Sequence, residues 1–188
     1  MKRIVVFASG SGTNAQNIIE FFNKSNLAKV TLVLSNRKDA KVLERAKKLN
    51  VPSESFTKED LCKSDKILNI LKNENPNIIV LAGFLLKFPE FILKEFQDKV
   101  INIHPALLPK YGGKGMYGSR VHEAIIENNE SMTGITIHYV NENYDEGAII
   151  FQKKVSVSEN DTADSVAEKV HELEYEFFPK VIEEILKK

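Results

Sequence analysis

The stretch RIVVFASGSGTN, residues 3–14, decides the fold of this 188-residue chain. Residues 3–8 form a continuous run of β-forming apolar side chains, which is typical of a strand buried on both faces of a parallel sheet. Residues 9–14 then lead into a predicted helix, and glycines at such a turn let the backbone approach a ligand closely. Because the free N–H groups of a helix N-terminus attract anions, we predict an anion site at Gly12, Thr13 and Asn14. The alternative is a glycine turn that serves packing alone.

The second predicted strand, residues 30–34, bears on which nucleotide binds there. The spacing Gly10-x-Gly12-x-x-Ala15 nearly matches a dinucleotide fingerprint, which also requires an acidic residue at the end of this strand. The chain has Ser35-Asn36-Arg37-Lys38 at that point. This disfavours NAD, whereas the basic pair keeps NADP open. A mononucleotide or a sugar phosphate fits the glycine loop better.

Strands and helices alternate over the first two thirds of the chain, with a helix predicted over residues 39–49 and a strand over residues 77–83. Residues 133–140 alternate as an antiparallel or edge strand does, a further strand is predicted over residues 148–155, and a long helix follows to residue 186. We therefore predict an α/β fold with a doubly wound, mostly parallel sheet, an antiparallel C-terminal part and a single domain over residues 1–188. In such sheets ligands bind at the carboxyl ends of the strands.

Composition narrows the range of partners. The 26 Lys and Arg residues balance the 26 Asp and Glu residues, so no basic field gathers nucleic acid or an anionic membrane. Cys62 is the only cysteine, which excludes an internal disulfide and fits the cytoplasm. The four histidines show no paired-ligand spacing, so we expect no metal site. We expect small-molecule substrates and a monomer or homodimer.

Candidate catalytic groups occur in NIHPALLP, residues 102–109, directly after an apolar strand. Asn102 and His104 are two residues apart, so they point the same way. An amide there can stabilise a developing oxyanion, and an imidazole can move a proton near neutral pH. The alternative is a strand-end histidine capped by a loop carbonyl. We interpret His122 as an interface or capping group and His138 as a solvated side chain on the polar face of its strand.

Three further features are relevant to a site, and two of them have both a structural and a functional interpretation. Four large apolar residues between Phe84 and Phe88 either fold onto the core or form a wall for a flat ligand. Four glycines within residues 112–118 predict a mobile loop. Glu174 falls inside the apolar arc of the last helix, so it needs hydrogen-bond donors. It either pairs with His171 or a backbone amide for the fold alone, or binds the ribose hydroxyls of a substrate.

The segments SGSGTN, SNRKDA, VLAGF, NIHPALLPKYGGKG and VNENYDEGAII, in this order, resemble the phosphoribosylglycinamide formyltransferases of purine biosynthesis. The resemblance runs from residue 4 to about residue 179. Asn-x-His-Pro-x-Leu-Leu-Pro with a downstream Asp-x-Gly is specific to the wider folate-dependent formyltransferase group. The resemblance implies a Rossmann-like fold and transfer of the formyl group of 10-formyltetrahydrofolate, the donor co-substrate, to the amine of glycinamide ribonucleotide, without a metal.

The resemblance also implies roles for individual residues. Asn102 and His104 act at the formyl carbon, and Asp145 lies beside His104 and raises its pKa; a solvated acidic turn is the alternative for Asp145. Gly12, Thr13 and Asn14 hold the substrate phosphate. His171 and Glu174 bind the ribose. The folate contacts are implied at Lys58, Leu85, Leu86, Lys87, Phe88 and Asn102.

Length and charge help to separate the relatives. Methionyl-tRNA formyltransferases add a C-terminal tRNA-binding domain and formyltetrahydrofolate hydrolases add an N-terminal regulatory domain, so at 188 residues we expect neither. The chain departs from the family at Leu86, where an arginine is usual. A nucleotide-sensing module is the non-enzymatic alternative, but it leaves Asn102, His104 and Asp145 without a purpose.

Overall fold

A seven-stranded sheet organises the chain in the computed structural model, which describes residues 1–188. Its order is β3-β2-β1-β4-β5-β6-β7, with β1 to β5 parallel and β6 and β7 antiparallel to their neighbours. The strands are β1 (Lys2–Phe7), β2 (Ala28–Ser35), β3 (Ser53–Ser55), β4 (Ile78–Leu81), β5 (Val100–His104), β6 (Met132–Tyr139) and β7 (Ile149–Ser156).

Seven helices flank the sheet. Two of them start with a Thr side chain that accepts a hydrogen bond from a backbone N–H three residues on, which satisfies an otherwise unpaired donor. The helices are α1 (Thr13–Phe22), α2 (Lys41–Lys48), α3 (Lys58–Cys62), α4 (Lys66–Glu74), α5 (Glu90–Glu95), α6 (Ser119–Glu127) and α7 (Ala163–Lys187). None of them combines the length and the apolar character that a membrane span requires.

Side chains alternate between two buried cores, one on each face of the sheet. In β1, Ile4 and Val6 face the larger core under α1, α2, α6 and α7, whereas Val5 and Phe7 face the smaller one under α3, α4 and α5. Burial on both faces explains why this strand is apolar throughout. The predicted doubly wound, mostly parallel sheet with an antiparallel end is therefore confirmed.

The strand order reverses direction at β1. The chain passes from β1 to β2 and β3 on one side, and then returns to β4 and β5 on the other. A crevice opens at the carboxyl ends of strands where such a reversal occurs, since the two connecting segments diverge there. The loops after β1, β4 and β5 all reach this crevice.

Candidate active site

A cavity of about 780 Å³ occupies this crevice. Its walls are the loops after β1, β4 and β5, the glycine-rich segment 113–118, and side chains of α6 and α7. The volume lies within the range of about 300 to 1,000 Å³ that is usual for small-molecule sites. Most of the residues singled out from the sequence line it.

One end of the cavity is the N-terminus of α1. Gly12 has the left-handed φ of 73°, and a Cβ on it would overlap the Val42 side chain, so only glycine fits this turn. No side chain caps this helix end, and its first turn contains no acidic residue. Its free N–H groups, together with Thr13 and Asn14, therefore present a partial positive charge to the cavity.

Glu174 reaches the same end of the cavity from α7. Its side chain is buried, with 4% of the residue exposed, and its Oε2 accepts hydrogen bonds from Asn14 Nδ2 at 2.8 Å and from His171 Nδ1 at 3.0 Å. The expected donors for an inward-facing glutamate are thus present. The hydrogen bond to Glu174 raises the pKa of His171 above its usual value. Asn14 Oδ1 is buried and unpartnered, so an acceptor there is free for a ligand donor.

Asn102, His104 and Asp145 lie together at the other end. Asp145 Oδ2 is 3.6 Å from His104 Nδ1, and Asp145 Oδ1 accepts a hydrogen bond from Asn102 Nδ2 at 3.5 Å. The prediction that Asp145 lies beside His104 is confirmed. Burial raises the pKa of the Asp145 carboxyl, but the His138 and His104 side chains and the Gly113 N–H lower it by more. Asp145 is therefore ionised at neutral pH.

The hydrogen bonds of His104 fix which of its nitrogens can exchange a proton. Nε2 is 2.7 Å from the Tyr111 carbonyl oxygen, which only accepts, so Nε2 carries the hydrogen and donates it. The loop carbonyl considered as an alternative from the sequence is thus present, but it caps Nε2 only. Nδ1, which faces the Asp145 carboxylate, is the nitrogen left for acid–base chemistry.

Asp145 raises the pKa of His104, as expected, but the net pKa of the ring lies below its usual value. Burial disfavours the imidazolium and lowers the pKa by more than Asp145 and the Tyr111 carbonyl raise it. The sequence indicated the neighbouring carboxylate but not that only 4% of the imidazole side chain is exposed. His104 is therefore neutral at rest and accepts a proton before it can donate one.

His138 was expected to be solvated, and that is also wrong. It lies directly opposite Asn102 in the β5–β6 pair and is 2% exposed. Its Nδ1–H donates to the Tyr139 carbonyl at 2.8 Å, so its Nε2 is free to accept from Asn102 Nδ2 at 3.1 Å. His138 thereby directs the Asn102 amide nitrogen towards Asp145. A Cβ on Gly147 would overlap the Tyr139 carbonyl, so a glycine is required behind this pair.

His122 is a cavity residue that the sequence did not reveal. It lies on α6, is buried, and lines the cavity, and its Nδ1 has no hydrogen-bond partner. Burial lowers its pKa, as does the nearby His171. Its neighbours Val121 and Ile125 are core residues of the same helix, and the sequence favoured an interface or capping group rather than a cavity residue.

The residues implied for the folate lie in different places. Leu85 lines the large cavity with 45% of the residue exposed, whereas Leu86, Lys87 and Phe88 line a pocket of about 60 Å³ beside it. Both spaces share Phe84, Asn102, Tyr144 and Asp145. Phe88 is almost fully buried and packs edge-on against Phe7, so the core interpretation holds for Phe88, and the wall for a flat ligand stays a prediction. Lys58 begins α3, lines neither space, and its folate contact stays a prediction.

Comparison with known proteins gives matches over nearly the whole chain. The family described as formyl transferase matches residues 2–182. Phosphoribosylglycinamide formyltransferase of Bacillus subtilis is 33% identical over 191 residues, which cover 99% of this chain and 95% of that protein. The chloroplastic phosphoribosylglycinamide formyltransferase of Arabidopsis thaliana is 36% identical over 187 residues and 96% of this chain. The chain spans only 64% of that plant protein.

A solved structure shows the same fold over the whole chain. The crystal structure of glycinamide ribonucleotide transformylase 1 from Geobacillus kaustophilus superposes with a TM-score of 0.89 and 36% sequence identity. The match covers 99% of this chain and 99% of that one. The similarity therefore includes the antiparallel strands β6 and β7 and the long helix α7.

Proposed function

This chain belongs to the formyl transferase family, and from that premise we propose that it transfers the formyl group of 10-formyltetrahydrofolate to the amine of 5-phosphoribosylglycinamide in purine biosynthesis. The observation that carries the proposal is the placement of Asn102, His104 and Asp145 in one cavity with an uncapped helix N-terminus. An anionic, amine-bearing substrate and a proton-transfer group fit the two ends of that cavity.

The amine substrate fits the end of the cavity at α1. Its phosphate binds the free N–H groups at Gly12, Thr13 and Asn14, because a helix N-terminus offers several donors and a favourable dipole. Its ribose hydroxyls bind between Glu174, which accepts hydrogen bonds, and His171, which carries a positive charge when it is protonated. The substrate amine then extends towards His104.

The folate fits the side of the cavity between Leu85 and Tyr144. Both residues are exposed to about the same degree and both line the cavity, so a flat ring system buries apolar surface there. Leu86, Lys87 and Phe88 extend this wall into the adjoining pocket, which also opens onto Asn102. This arrangement brings the formyl carbon to Asn102 and His104.

The proposed chemistry is direct transfer through a tetrahedral intermediate. The substrate amine forms a bond to the formyl carbon, and one N–H of Asn102 donates to the resulting oxyanion. Asn102 Nδ2 lies 3.1 Å from His138 Nε2 but 3.5 Å from Asp145 Oδ1, so its hydrogen bond to Asp145 is the weaker one. The N–H that faces Asp145 is therefore the one that can turn towards a ligand. His104 Nδ1 accepts the proton of the attacking amine and passes it to N10, whose bond to the formyl carbon breaks. Asp145 stabilises the transient imidazolium.

A single assay tests the activity. The purified protein is mixed with 10-formyltetrahydrofolate, with and without 5-phosphoribosylglycinamide, and the folate product is followed by its absorbance. Product that forms only with the amine supports transfer. Product without the amine indicates a hydrolase, and no product under either condition indicates a nucleotide-binding module; each of these two results would overturn the proposal.

The remaining proposals concern the setting of the enzyme. The only cysteine, Cys62, is exposed and unpaired, which suits the reducing cytoplasm. The balanced charge suits small-molecule partners and a monomer or homodimer. The proposed steps require only protein side chains and the two substrates, with no metal among the participants.

A further inference from the structure

The segment 110–113 connects the catalytic residues to a carboxylate outside the cavity. Its Tyr111 carbonyl accepts the Nε2–H of His104 at 2.7 Å, and its Gly113 N–H donates to Asp145 Oδ2 at 2.9 Å. At the far side, the Tyr111 hydroxyl donates to Glu130 Oε1 at 2.9 Å and the Lys110 ammonium donates to the same oxygen at 2.8 Å. The backbone of the segment is thus bound to His104 and Asp145, and its side chains are bound to Glu130.

The backbone of Tyr111 shows why such anchoring is needed. Its φ is 56°, in the left-handed region that bulky residues rarely adopt, and it is followed by Gly112, where a Cβ would overlap Leu108. A residue keeps this conformation only where surrounding contacts determine it. The side chain of Tyr111 packs against the larger core, and its hydroxyl bond to Glu130 completes the constraint.

The position of Glu130 is itself constrained by its own backbone and side-chain hydrogen bonds. It lies in the turn between α6 and β6, and its backbone N–H donates to the Ile125 carbonyl at the end of α6. The Lys110 and Tyr111 side chains lower the pKa of Glu130, which keeps it ionised and accepting. Glu130 does not line the cavity, so it has no direct route to a substrate.

We propose that Glu130 is a positioning residue, which acts through the side chains of Lys110 and Tyr111 to hold the Tyr111 carbonyl against His104. The carbonyl fixes the hydrogen on Nε2 and leaves Nδ1 free for the substrate amine and for N10. This inference rests on the proposed function for its effect on rate, but the tautomer of His104 does not depend on that function. The charged or titratable groups that influence the His104 pKa are Asp145, His138 and Glu174. The hydrogen-bond partner of Nε2 is the Tyr111 carbonyl and none of these three side chains.

The test uses Tyr111→Phe and Glu130→Gln in the full chain. Tyr111→Phe removes one hydroxyl and keeps the ring and the carbonyl, so it preserves the core contacts. The matched control is Glu183→Gln, because Glu183 is also paired with a lysine, at 2.9 Å, and its side chain is 27% exposed against 25% for Glu130. Thermal unfolding of each variant shows whether the fold is retained.

Two readouts distinguish positioning from a merely structural role. We expect kcat to fall about tenfold in both variants with little change in either KM, because a small misplacement of a catalytic group reduces rate more than binding. We also expect the acidic limb of the pH–rate profile to move to lower pH, because the Tyr111 carbonyl raises the pKa of His104. Nitrogen-15 NMR of His104 should show Nε2–H alone in the wild type and a mixture of tautomers in the variants.

The outcomes separate this inference from the proposed function. An unchanged tautomer and an unchanged kcat in both variants would refute the role of Glu130 while leaving wild-type transfer intact. A raised KM with an unchanged tautomer would also refute it, since that result indicates a contact with substrate. If the wild type transfers no formyl group, the proposed function fails, and the NMR comparison alone still decides whether Glu130 positions His104.

Discussion

Replacing Asp145 by asparagine keeps the shape of the side chain and removes its charge, which makes it the most direct test of the proposed proton transfer. Asp145 Oδ2 lies 3.6 Å from His104 Nδ1, and only 13% of the Asp145 side chain is exposed, so solvent screens the pair weakly. At this separation an imidazolium and a carboxylate attract each other by about 4 to 5 kcal/mol for an effective dielectric constant of about 20.

This attraction acts only while His104 holds the transferred proton, so its loss falls mainly on the transition state. The asparagine dipole retains part of the interaction, and the site relaxes around the neutral side chain. We therefore expect the transition state to lose about half of this attraction or more. The activation barrier rises by that amount, which lowers kcat about 30- to 1,000-fold. Because Asp145 raises the pKa of His104, its removal lowers that pKa further and moves the acidic limb of the profile to lower pH.

The assay is the formyl-transfer rate at saturating substrates over a range of pH. Asp161→Asn is the matched control, since Asp161 is a carboxylate of similar exposure, 9%, that contacts Lys169 and lies outside the cavity. We expect its kcat to match the wild type. An Asp145→Asn enzyme with a kcat within threefold of wild type and an unshifted profile would refute the role of Asp145 and restore the solvated-turn interpretation.

Further substitutions test the other parts of the site. Asn102→Ala and His104→Ala should each lower kcat about 100-fold or more, with little effect on the Kd for the amine substrate measured by calorimetry. His138→Ala should lower kcat by less, about tenfold, because His138 acts through Asn102 and Asp145 and not on the reacting atoms; equal kcat in variant and wild type would contradict this. Glu174→Gln should raise the KM for 5-phosphoribosylglycinamide but not for the folate; a lower melting temperature with an unchanged KM would make Glu174 structural. Gly147→Ala should destabilise the protein by about 1 to 3 kcal/mol through overpacking, measured by denaturant unfolding against Gly10→Ala, where a Cβ meets no atom within 4 Å.

The sequence predicted the sheet well because its strands carry strong and consistent patterns. The strands predicted over residues 77–83, 133–140 and 148–155 correspond to β4, β6 and β7. Boundaries differ by one or two residues, as at α2, which begins at Lys41 because Ala40 remains extended. The prediction that Asn102 and His104 point the same way came from their spacing of two residues along β5.

The errors have a common physical origin in contacts between segments that are distant along the chain. His138 occupies the polar face of β6, but the register of β5 and β6 places it directly opposite Asn102. No local sequence pattern specifies that register. Burial of His104 likewise depends on the loop at Tyr111 and on Asp145, which are supplied by separate segments. Glu130 interacts with Tyr111 across 19 residues, so neither its own neighbours nor its exposure indicates a link to the cavity.

The opposing effects on His104 explain how one imidazole can serve both steps of the proposed transfer. Burial alone lowers the pKa and makes the ring a weak base, whereas Asp145 and the Tyr111 carbonyl favour the protonated form. The ring is therefore neutral when the amine arrives, yet its cation is stabilised for the interval before N10 takes the proton. A solvated histidine remains partly protonated near neutral pH, and an isolated buried histidine does not stabilise the cation. The carboxylate and the loop carbonyl must both be in place for the same ring to accept and then donate.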